Sequence, residues 1–506
     1  MNEDLSEIII IQNRRSQVIN KYFGWIRYIS IEPTMWLYIM AYMMTSVVEQ
    51  ALFVYKSCRV NHGFSEEVCR DIKNNDTINK IIQVTVSDFH QWNNIAGHVV
   101  PIILSLFYGN WSDRRGRKLP LIIGLLGKII YSGMIVVNTL KPNWDLFMII
   151  YTASIPMGML GGDLAIFGSC FAYISDVSSA KQRTLRVTIL EIAYLSTMPT
   201  GIALGSYLFT EVFNRSYTIM FAINTTLLII SVIYSLIVLK WQTNPRQTPL
   251  LGVNVLTDFF DKEHVISTVK TLTKPRSKNR RLHLWMLFIA MTFYTFQRDE
   301  KPMSYLYTQR IFQWDVLTFS KFRTFQSSFF VAAMLIGGPT LSKLLGLRDT
   351  IIVMIGALSH AAGRVFFASA TTPEIFYAGA AVAAIGPVVA PVLRSMTSKV
   401  VPINERGKVF AMLSVCDNAV PFFSGVLYSQ LYNETYNTVP SAIYWLTFAT
   451  QIAVLLLILV IHLSSGSNQR EKEEEEEEEE KEDTNNVSEA STLEANTSYV
   501  QERIIS

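Results

Sequence analysis

The sequence predicts an all-α integral membrane protein with twelve transmembrane helices in two six-helix halves. Half of its 506 residues are hydrophobic and only 17% are charged, whereas soluble domains carry about 25% charged residues. Twelve apolar stretches follow one another along the chain, and a helix of about 20 such residues crosses a bilayer. Four cysteines are too few for a disulfide-rich secreted scaffold, and their spacing to histidine does not resemble a zinc site.

The twelve apolar stretches fall into two sets of six. The first set lies near residues 34–55, 94–109, 119–140, 147–175, 187–208 and 218–239, and the second near 283–306, 325–345, 350–370, 376–395, 407–430 and 441–463. A polar segment from Lys240 to Arg281, with nine basic residues, separates them. The predicted domains are therefore a cytoplasmic N-terminus (1–30), an N-terminal half (31–239), a cytoplasmic central loop (240–281), a C-terminal half (282–464) and a disordered acidic cytoplasmic tail (465–506).

Basic residues predict the orientation in the membrane. They crowd the loops after spans two, four and ten, at residues 114–118, 181–186 and 399–408, and are scarce in the loops after spans three, five, nine and eleven. Because short basic loops stay cytoplasmic, both termini are predicted to be cytoplasmic. The glycosylation sequons at Asn75, Asn214 and Asn433 then fall in outer loops, where they are accessible to glycosylation.

The first outer loop is predicted to extend from about residue 56 to 90. It contains Cys58 and Cys69. In an oxidising compartment the two could form a short local disulfide, and two free thiols are the alternative.

The strongest motif is GNWSDRRGRK at 109–118, between spans two and three. This pattern and the six-plus-six layout are typical of major facilitator transporters. Gly116 permits a tight turn, Asp113 can cap a facing helix, and Arg117 can pair with Asp176 at the end of span four. We therefore predict a gating role for Asp113, Arg117 and Asp176, with a positive-inside turn lacking any switching role as the alternative.

Ionisable residues inside predicted spans are costly in lipid and indicate function or a paired partner. The set comprises Glu49, His98, Lys128, Asp163, Glu191, His360, Arg364 and Arg394. Glu191 and Asp163 are candidate proton carriers. The competing interpretation is a static ion pair, for example between Lys128 and Asp163.

Span seven is interrupted by four consecutive charged residues, Arg298, Asp299, Glu300 and Lys301, before Pro302. Either the span ends there and 302–324 forms an outer loop, or the charges line a cavity beside a broken helix. We favour the cavity, with Asp299 and Glu300 in the coupling pathway.

Two segments carry a family resemblance: FGSCFAYISDVSSAKQRTLRVTILE at 167–191 and APVLRSMTSKVVPINERGKVFAML at 390–413. With EPTMWLYIMAY and the 109–118 motif, they make essentially the whole membrane domain resemble the proton-coupled folate transporter family, solute carrier family 46. The resemblance implies a bulky organic anion, such as a folate, a cyclic dinucleotide or a muropeptide, moved together with protons. Plasma membrane and endolysosomal membrane are both expected locations.

The resemblance also implies roles for individual residues. Arg394 matches the family's substrate-associated arginine of span ten, Glu191 its proton-coupling glutamate of span five, and Asp113 the aspartate of the loop between spans two and three. Asn94 and Gln50 match polar residues of spans two and one, and complete the expected substrate site.

This chain departs from the folate carrier at three points. Asp163 lies one position later than that carrier's aspartate and therefore faces about 100° away. The charged cluster at 298–301 replaces mostly apolar residues. The loop after span seven contains no cysteine, which removes that carrier's bridge to the first loop.

The resulting hypothesis is a proton-coupled symporter that moves an organic anion toward the cytoplasm by alternating access. Protons are the coupling ion, and no metal or other cofactor is expected. The expected partners are the anion and the lipid bilayer, with no nucleic acid, and a monomer is sufficient. The alternative is a receptor or scaffold on a transporter fold. An enzyme is not expected, because no nucleophile, phosphate loop or metal-ligand cluster is evident.

Overall fold

The computed structural model describes residues 29–70, 75–178, 183–243, 280–401 and 406–464, with positions 72, 247–249, 252, 254, 258–260 and 266. This part of the chain is almost entirely helical and contains no β-strand. The all-α prediction is thereby confirmed. The predicted acidic tail, nearly all of the N-terminal segment and most of the central loop lie outside the described residues.

The N-terminal half is built from long helices that run alternately up and down. They are α1 (Glu32–Lys56), α2 (Asp76–Arg115), α3 (Lys118–Leu140), α4 (Gly162–Val177), α5 (Arg183–Tyr207) and α6 (Tyr217–Val238). Two short turns, Ile150–Ser154 and Ile155–Met159, precede α4 in the same span.

The C-terminal half repeats this arrangement with more interrupted helices. They are α7 (Arg280–Thr295), α8 (Glu300–Ile311), α9 (Val316–Ala332), α10 (Asp349–Ser369), α11 (Pro373–Val382), α12 (Val389–Val400), α13 (Arg406–Thr435) and α14 (Ala442–Ser464). A 3₁₀ turn, Phe296–Asp299, joins α7 to α8.

Eight helical stretches of the described chain are long and apolar enough to cross a membrane. They are Glu32–Asn61, Lys118–Leu140, Ile150–Val177, Arg186–Val212, Tyr217–Val238, Asp349–Ser369, Pro373–Val400 and Ala442–Ser464. The other predicted spans coincide with helices that carry more polar residues, namely α2, α7 with α8, α9 and α13. The count of twelve spans therefore stays a prediction.

Helix α2 corrects the predicted first loop. The loop was expected to reach residue 90, but α2 begins at Asp76, with the Asn75 side chain accepting a hydrogen bond from the Ile78 amide as an N-cap. The first half of α2 is polar, yet Gln83 and Ser87 are fully buried. A hydropathy window misses such a segment because its polar side chains are satisfied by another helix rather than by water.

The two ends of the bundle differ in how the halves pack. We call the end with Cys58 and Cys69 the disulfide end, and the end with residues 109–118 the motif end. At the disulfide end one core joins both halves, from Val47 and Phe89 to Leu306 and Tyr444. Toward the motif end, separate cores form within the N-terminal half and within the C-terminal half. The halves are therefore sealed together at the disulfide end.

Helices α1 and α5 pack with almost no space between their backbones. A Cβ atom added at Gly205 would lie 2.0 Å from the Met44 carbonyl oxygen, and one at Gly201 would lie 2.7 Å from Met43 Cβ. The GxxxG spacing of Gly201 and Gly205 thus serves close helix packing.

Candidate functional site

A cavity of about 160 Å³ opens among α1 to α4 and α6. Its polar lining includes Tyr42, Glu49, Asn94, His98, Lys128 and Asp163. Most of these side chains come from spans that are otherwise apolar, so the cavity concentrates polar groups in the middle of the bundle. This is the arrangement that a binding site for a polar small molecule requires.

Asp163 and Lys128 form an ion pair in this cavity. Lys128 Nζ lies 2.6 Å from Asp163 Oδ1, and the Tyr38 hydroxyl donates to the same oxygen. Asp163 is in the first turn of α4, after a left-handed Gly161 (φ +82°), where a helix N-terminus favours a carboxylate. The Asp163 side chain is 55% exposed and that of Lys128 only 11%. The ion-pair interpretation matches this geometry, and the carboxylate also faces the open cavity.

Glu49 and Gln50 are neighbours on α1, but only Glu49 lines the cavity. The Tyr131 hydroxyl donates to Glu49, which lines the cavity. Gln50 is absent from the cavity wall, and its buried Oε1 has no hydrogen-bond partner. The structure therefore brings Glu49, rather than Gln50, to the cavity.

Asn94 connects the two halves. Its Nδ2 donates to Asp299 Oδ1 at 3.1 Å, and the Ser424 hydroxyl donates to the other oxygen of Asp299. A Cβ atom at Gly425 would clash with Asn94 at 2.2 Å, so glycine permits this close approach of α13. Asn94 is thus placed at the seam between the halves as well as in the cavity wall.

The charged interruption of span seven is a broken helix rather than a helix end. The chain continues through the 3₁₀ turn into α8, so the alternative of an outer loop at 302–324 is wrong. Glu300 pairs with Arg364 of α10 at 3.0 Å, with both side chains 5% exposed. Asp299 and Glu300 are therefore buried and partnered, not exposed to the cavity.

Arg394 and Glu191 lie in the part of the bundle toward the motif end, and both are exposed. They are near enough to interact electrostatically. Arg394 Nη2 lies 3.1 Å from Asp417 Oδ2, while Thr295 donates to the other oxygen of Asp417. Sequence reasoning missed Asp417, although a carboxylate within a predicted span was a sufficient signal.

The motif end contains the predicted gating cluster. Arg117 Nε lies 3.0 Å from Asp176 Oδ2, and its Nη2 contacts Asp113. Gly116 adopts φ +107°, and a Cβ atom there would lie 2.2 Å from the Trp241 carbonyl oxygen. The three residues therefore meet as the motif predicts, and the turn requires glycine.

A second contact at the motif end was not expected from the sequence. Asp258 of the central loop accepts two hydrogen bonds from Arg115, at 2.6 and 2.8 Å, and one from Trp111 Nε1 at 3.0 Å. The Arg115 guanidinium holds the pKa of this carboxyl below its usual range. Phe259 packs edge-on against Trp111, with ring centroids 5.2 Å apart. The central loop is thus fastened to α2.

The disulfide end holds the predicted modification sites. Cys58 and Cys69 are bonded to each other. Asn75 and Asn214 are exposed. Asn433 differs, because its Nδ2, the atom that would carry a glycan, donates to Asp88 at 2.7 Å. This geometry argues against a glycan at Asn433.

Two helical halves packed into one core at the disulfide end, with a polar cavity lined almost entirely by the N-terminal half, are the architecture of a membrane transport protein. The family model of the Major Facilitator Superfamily matches residues 77–371 and 324–501. The chain belongs to the Major Facilitator Superfamily, and it is a transporter rather than an enzyme.

Its curated relatives are members of solute carrier family 46. The chain is 26% identical to the "Probable peptidoglycan muropeptide transporter SLC46" of Drosophila melanogaster, covering 81% of each chain. It is 26% identical to the "Proton-coupled folate transporter" of Rattus norvegicus, covering 72% of this chain and 76% of the relative. It is also 26% identical to the "Lysosomal proton-coupled steroid conjugate and bile acid symporter SLC46A3" of Gallus gallus, with 80% and 87% covered.

Solved structures share the fold at lower sequence identity. The D-xylose-proton symporter superposes with a TM-score of 0.61 at 14% identity, covering 86% of this chain and 97% of the symporter. The human organic anion transporter MFSD10 gives a TM-score of 0.60 at 13% identity, with 85% and 98% covered. These similarities show the fold alone.

Proposed function

We propose that this protein is a proton-coupled symporter of a bulky organic anion, with twelve spans and both termini cytoplasmic. The disulfide end then faces the outside or the lumen of an endolysosome. Relatives named as folate, muropeptide, and steroid conjugate and bile acid carriers support the substrate class. Loading from the acidic side would drive the anion toward the cytoplasm.

The observation that carries the proposal is that exposed Glu191 and exposed Arg394 lie near enough to interact electrostatically without forming an ion pair. Among the described residues, no cation lies within ion-pair distance of Glu191, so its carboxyl is free to take and release a proton. The Arg394 side chain is half exposed and forms an ion pair with Asp417. Protonation of Glu191 removes a negative charge near Arg394 and so favours binding of a substrate carboxylate or phosphate there.

The same arrangement gives each remaining site residue a role. Lys128 and Asp163 contribute a second titratable group to the cavity, and Asn94 couples the cavity to the seam between the halves. Asp113, Arg117 and Asp176 act at the opposite end, where we propose that they stabilise one conformation of the transport cycle.

Uptake of labelled anions tests the proposal in cells expressing wild type, Glu191→Gln or Arg394→Ala. The panel is a folate, a cyclic dinucleotide, a muropeptide and a neutral sugar, each at about pH 5.5 and pH 7.4. We expect acid-stimulated uptake of an anion, abolished by Arg394→Ala and made insensitive to pH by Glu191→Gln. Uptake of the sugar alone would contradict anion transport. Unchanged uptake in both variants would contradict the assigned roles.

A further inference from the structure

The cavity wall contains a carboxyl group, that of Glu49, whose hydrogen-bond donor is neutral. Glu49 lies on α1, and its Oε1 accepts a hydrogen bond from the Tyr131 hydroxyl of α3. Within the described part of the chain, no lysine, arginine or histidine lies within ion-pair distance of Glu49. An ionised carboxyl inside a membrane-spanning bundle is costly without a cationic partner. A protonated Glu49 avoids this cost.

The other carboxyl of the cavity wall, Asp163, already has its cation. Lys128 Nζ lies 2.6 Å from Asp163 Oδ1, and the Tyr38 hydroxyl donates to the same oxygen. Lys128 and Tyr131 are three residues apart on α3 and so share one face of that helix. This face presents the lysine to Asp163 and the tyrosine to Glu49. One lysine balances only one of two carboxylates, so the wall is neutral when the second carboxyl holds a proton.

The neighbouring elements do not supply a second cation to Glu49. Helix α6 contributes no titratable side chain to the cavity wall, and α5, which packs against α1, contributes no residue to it. The remaining titratable groups that face this region come from α1, α2, the 3₁₀ turn before α8 and α9, and they are Tyr38, Tyr42, His98, Arg298 and Arg323. The two arginines act on Tyr42 and do not line the cavity.

Glu49 lies where a proton from the disulfide end would arrive. It is two helical turns beyond Tyr42 toward Cys58 and is the residue of the α1 cavity wall nearest to the disulfide end. Its neighbours Val47 and Leu52 belong to the core that seals the two halves together there. In the proposed orientation this end faces the acidic compartment, so opening of the seal brings water of that compartment to Glu49.

We propose that Glu49 is a proton-binding residue of the transport cycle. The proton binds Oε2, while Oε1 keeps the hydrogen bond from Tyr131 in both protonation states, so Tyr131 is a positioning residue. One O–H bond forms when the cavity is open to the acidic side and breaks when it is open to the cytoplasm. The inference rests on the proposed function and deepens it, because it adds a proton site in the cavity to that of Glu191 beside Arg394.

Infrared spectroscopy of the purified full-length protein tests the site without any substrate. A protonated carboxyl has a C=O stretching band that disappears on ionisation, so spectra are compared between about pH 5 and pH 8. Glu49→Gln should remove one such band at the acidic end of this range. Tyr131→Phe should keep the band and move it to higher frequency, because the C=O group loses its hydrogen bond. Glu211→Gln is the matched control, since Glu211 is an exposed carboxyl at the disulfide end, and it should leave the band unchanged.

Two charge variants test the balance between the carboxyls. Lys128→Gln removes the cation and should move the transition of the Glu49 band to higher pH by about one unit. Asp163→Asn releases Lys128 to Glu49 and should move the transition to lower pH by about as much. Shifts in the same direction, or none, would contradict the charge balance.

A spectrum of Glu49→Gln that matches wild type throughout this pH range overturns the proton site. If Glu49→Gln does not fold, Glu49→Asp takes its place, because it keeps the carboxyl but shortens its reach to Tyr131. Its band should then lie at the higher frequency of Tyr131→Phe, and a band at the wild-type frequency would overturn the assignment.

Uptake separates this inference from the proposed function. For any anion of the panel that wild type takes up faster in acid, Glu49→Gln should lower the ratio of uptake at about pH 5.5 to that at pH 7.4 toward one, and Glu211→Gln should not. An unchanged ratio in Glu49→Gln overturns the role in transport. If wild type takes up no anion of the panel, the proposed function fails for that panel, while the infrared spectra still decide whether Glu49 binds a proton.

Discussion

Replacing Glu300 by glutamine should destabilise the protein without abolishing its response to acid. Glu300 and Arg364 form a buried pair between α8 and α10, 3.0 Å apart and each 5% exposed. Glutamine keeps the size and shape of the side chain but removes its charge. Arg364 is then left buried without an anionic partner, and its Nη1 already has no hydrogen-bond partner.

The size of the effect follows from this geometry. At 3.0 Å and an effective dielectric constant of about 20, two unit charges attract by about 5 kcal/mol before desolvation is counted. Removing one partner of a buried pair costs about 3–5 kcal/mol, because the remaining charge stays desolvated. With about 1 °C lost per kcal/mol in a chain of 506 residues, the melting temperature should fall by about 3–5 °C.

The assay is thermal unfolding of the purified full-length protein, followed by uptake at two pH values. Glu211→Gln is the control, since Glu211 is exposed and its melting temperature should match wild type. The double variant Glu300→Leu/Arg364→Met should recover most of the stability, because neither charge then remains buried. A Glu300→Gln protein that melts like wild type but has lost acid stimulation would refute the structural role and place Glu300 in proton coupling.

Three further predictions address packing, pH and glycosylation. Gly205→Ala should cost about 1–3 kcal/mol of stability by overpacking and so lower the melting temperature. Gly133→Ala is the control, because no atom lies within 4 Å of the added Cβ, and it should leave the melting temperature unchanged. Equal melting temperatures of the two variants would contradict the close contact between Gly205 and Met44. Arg115 lowers the pKa of Asp258. The Asp258–Arg115 ion pair is therefore fully formed above the usual aspartate pKa of about 4, and it is lost only when the pH falls through the lowered pKa of the folded protein. Asp258→Asn should therefore leave acid stimulation at about pH 5.5 unchanged while making the central loop more sensitive to protease, and loss of acid stimulation would contradict this. Enzymatic deglycosylation should reveal a glycan that is lost in the Asn75→Gln variant. Asn433→Gln should not change the glycan content, and a shift of the protein band in that variant would show that Asn433 carries a glycan.

The sequence predicted the helical class and most helix positions because apolar spans are a strong local signal. It failed at α2, whose first half is polar yet buried against the other half of the bundle. Hydropathy scores the preference of each side chain for lipid or water, so it does not detect polar side chains that are buried against other polar side chains. Here the Ser429 hydroxyl bonds Ser87, and the Tyr432 hydroxyl donates to Gln83. Only the three-dimensional pairing of α2 with α13 reveals that these polar residues are buried.

The candidate site was predictable residue by residue but not as an arrangement. The rule that intramembrane charges indicate function selected Asp163, Glu191 and Arg394. Which of them face one another depends on the helix breaks at Gly161 and at Phe296–Asp299. Each break changes the rotation of all following side chains by an amount that spacing along the sequence does not determine. The separation of Asp299 from the exposed Arg298 therefore had to come from the structure.

In the proposed alternating-access cycle, the contacts at the disulfide end suit a seal that opens and closes. The hydroxyls of Ser87 and Ser429 are 2.7 Å apart, the Tyr432 hydroxyl donates to Gln83 at 2.7 Å, and Asn94 donates to Asp299. The bonds between neutral side chains are each worth about 1 kcal/mol net, and the Asn94 bond to a carboxylate about 1.5–3 kcal/mol, because water replaces the partner when the halves separate. Arg215 and Asp315 do pair across the halves, at 3.8 Å, but their side chains are 67% and 36% exposed, so the pair stays solvated and separates at little cost. A buried ion pair in the seam would leave two desolvated charges to be separated at greater cost. The ion pairs Lys128–Asp163 and Glu300–Arg364 instead lie within single halves, so they keep each half rigid while the polar seam opens and closes.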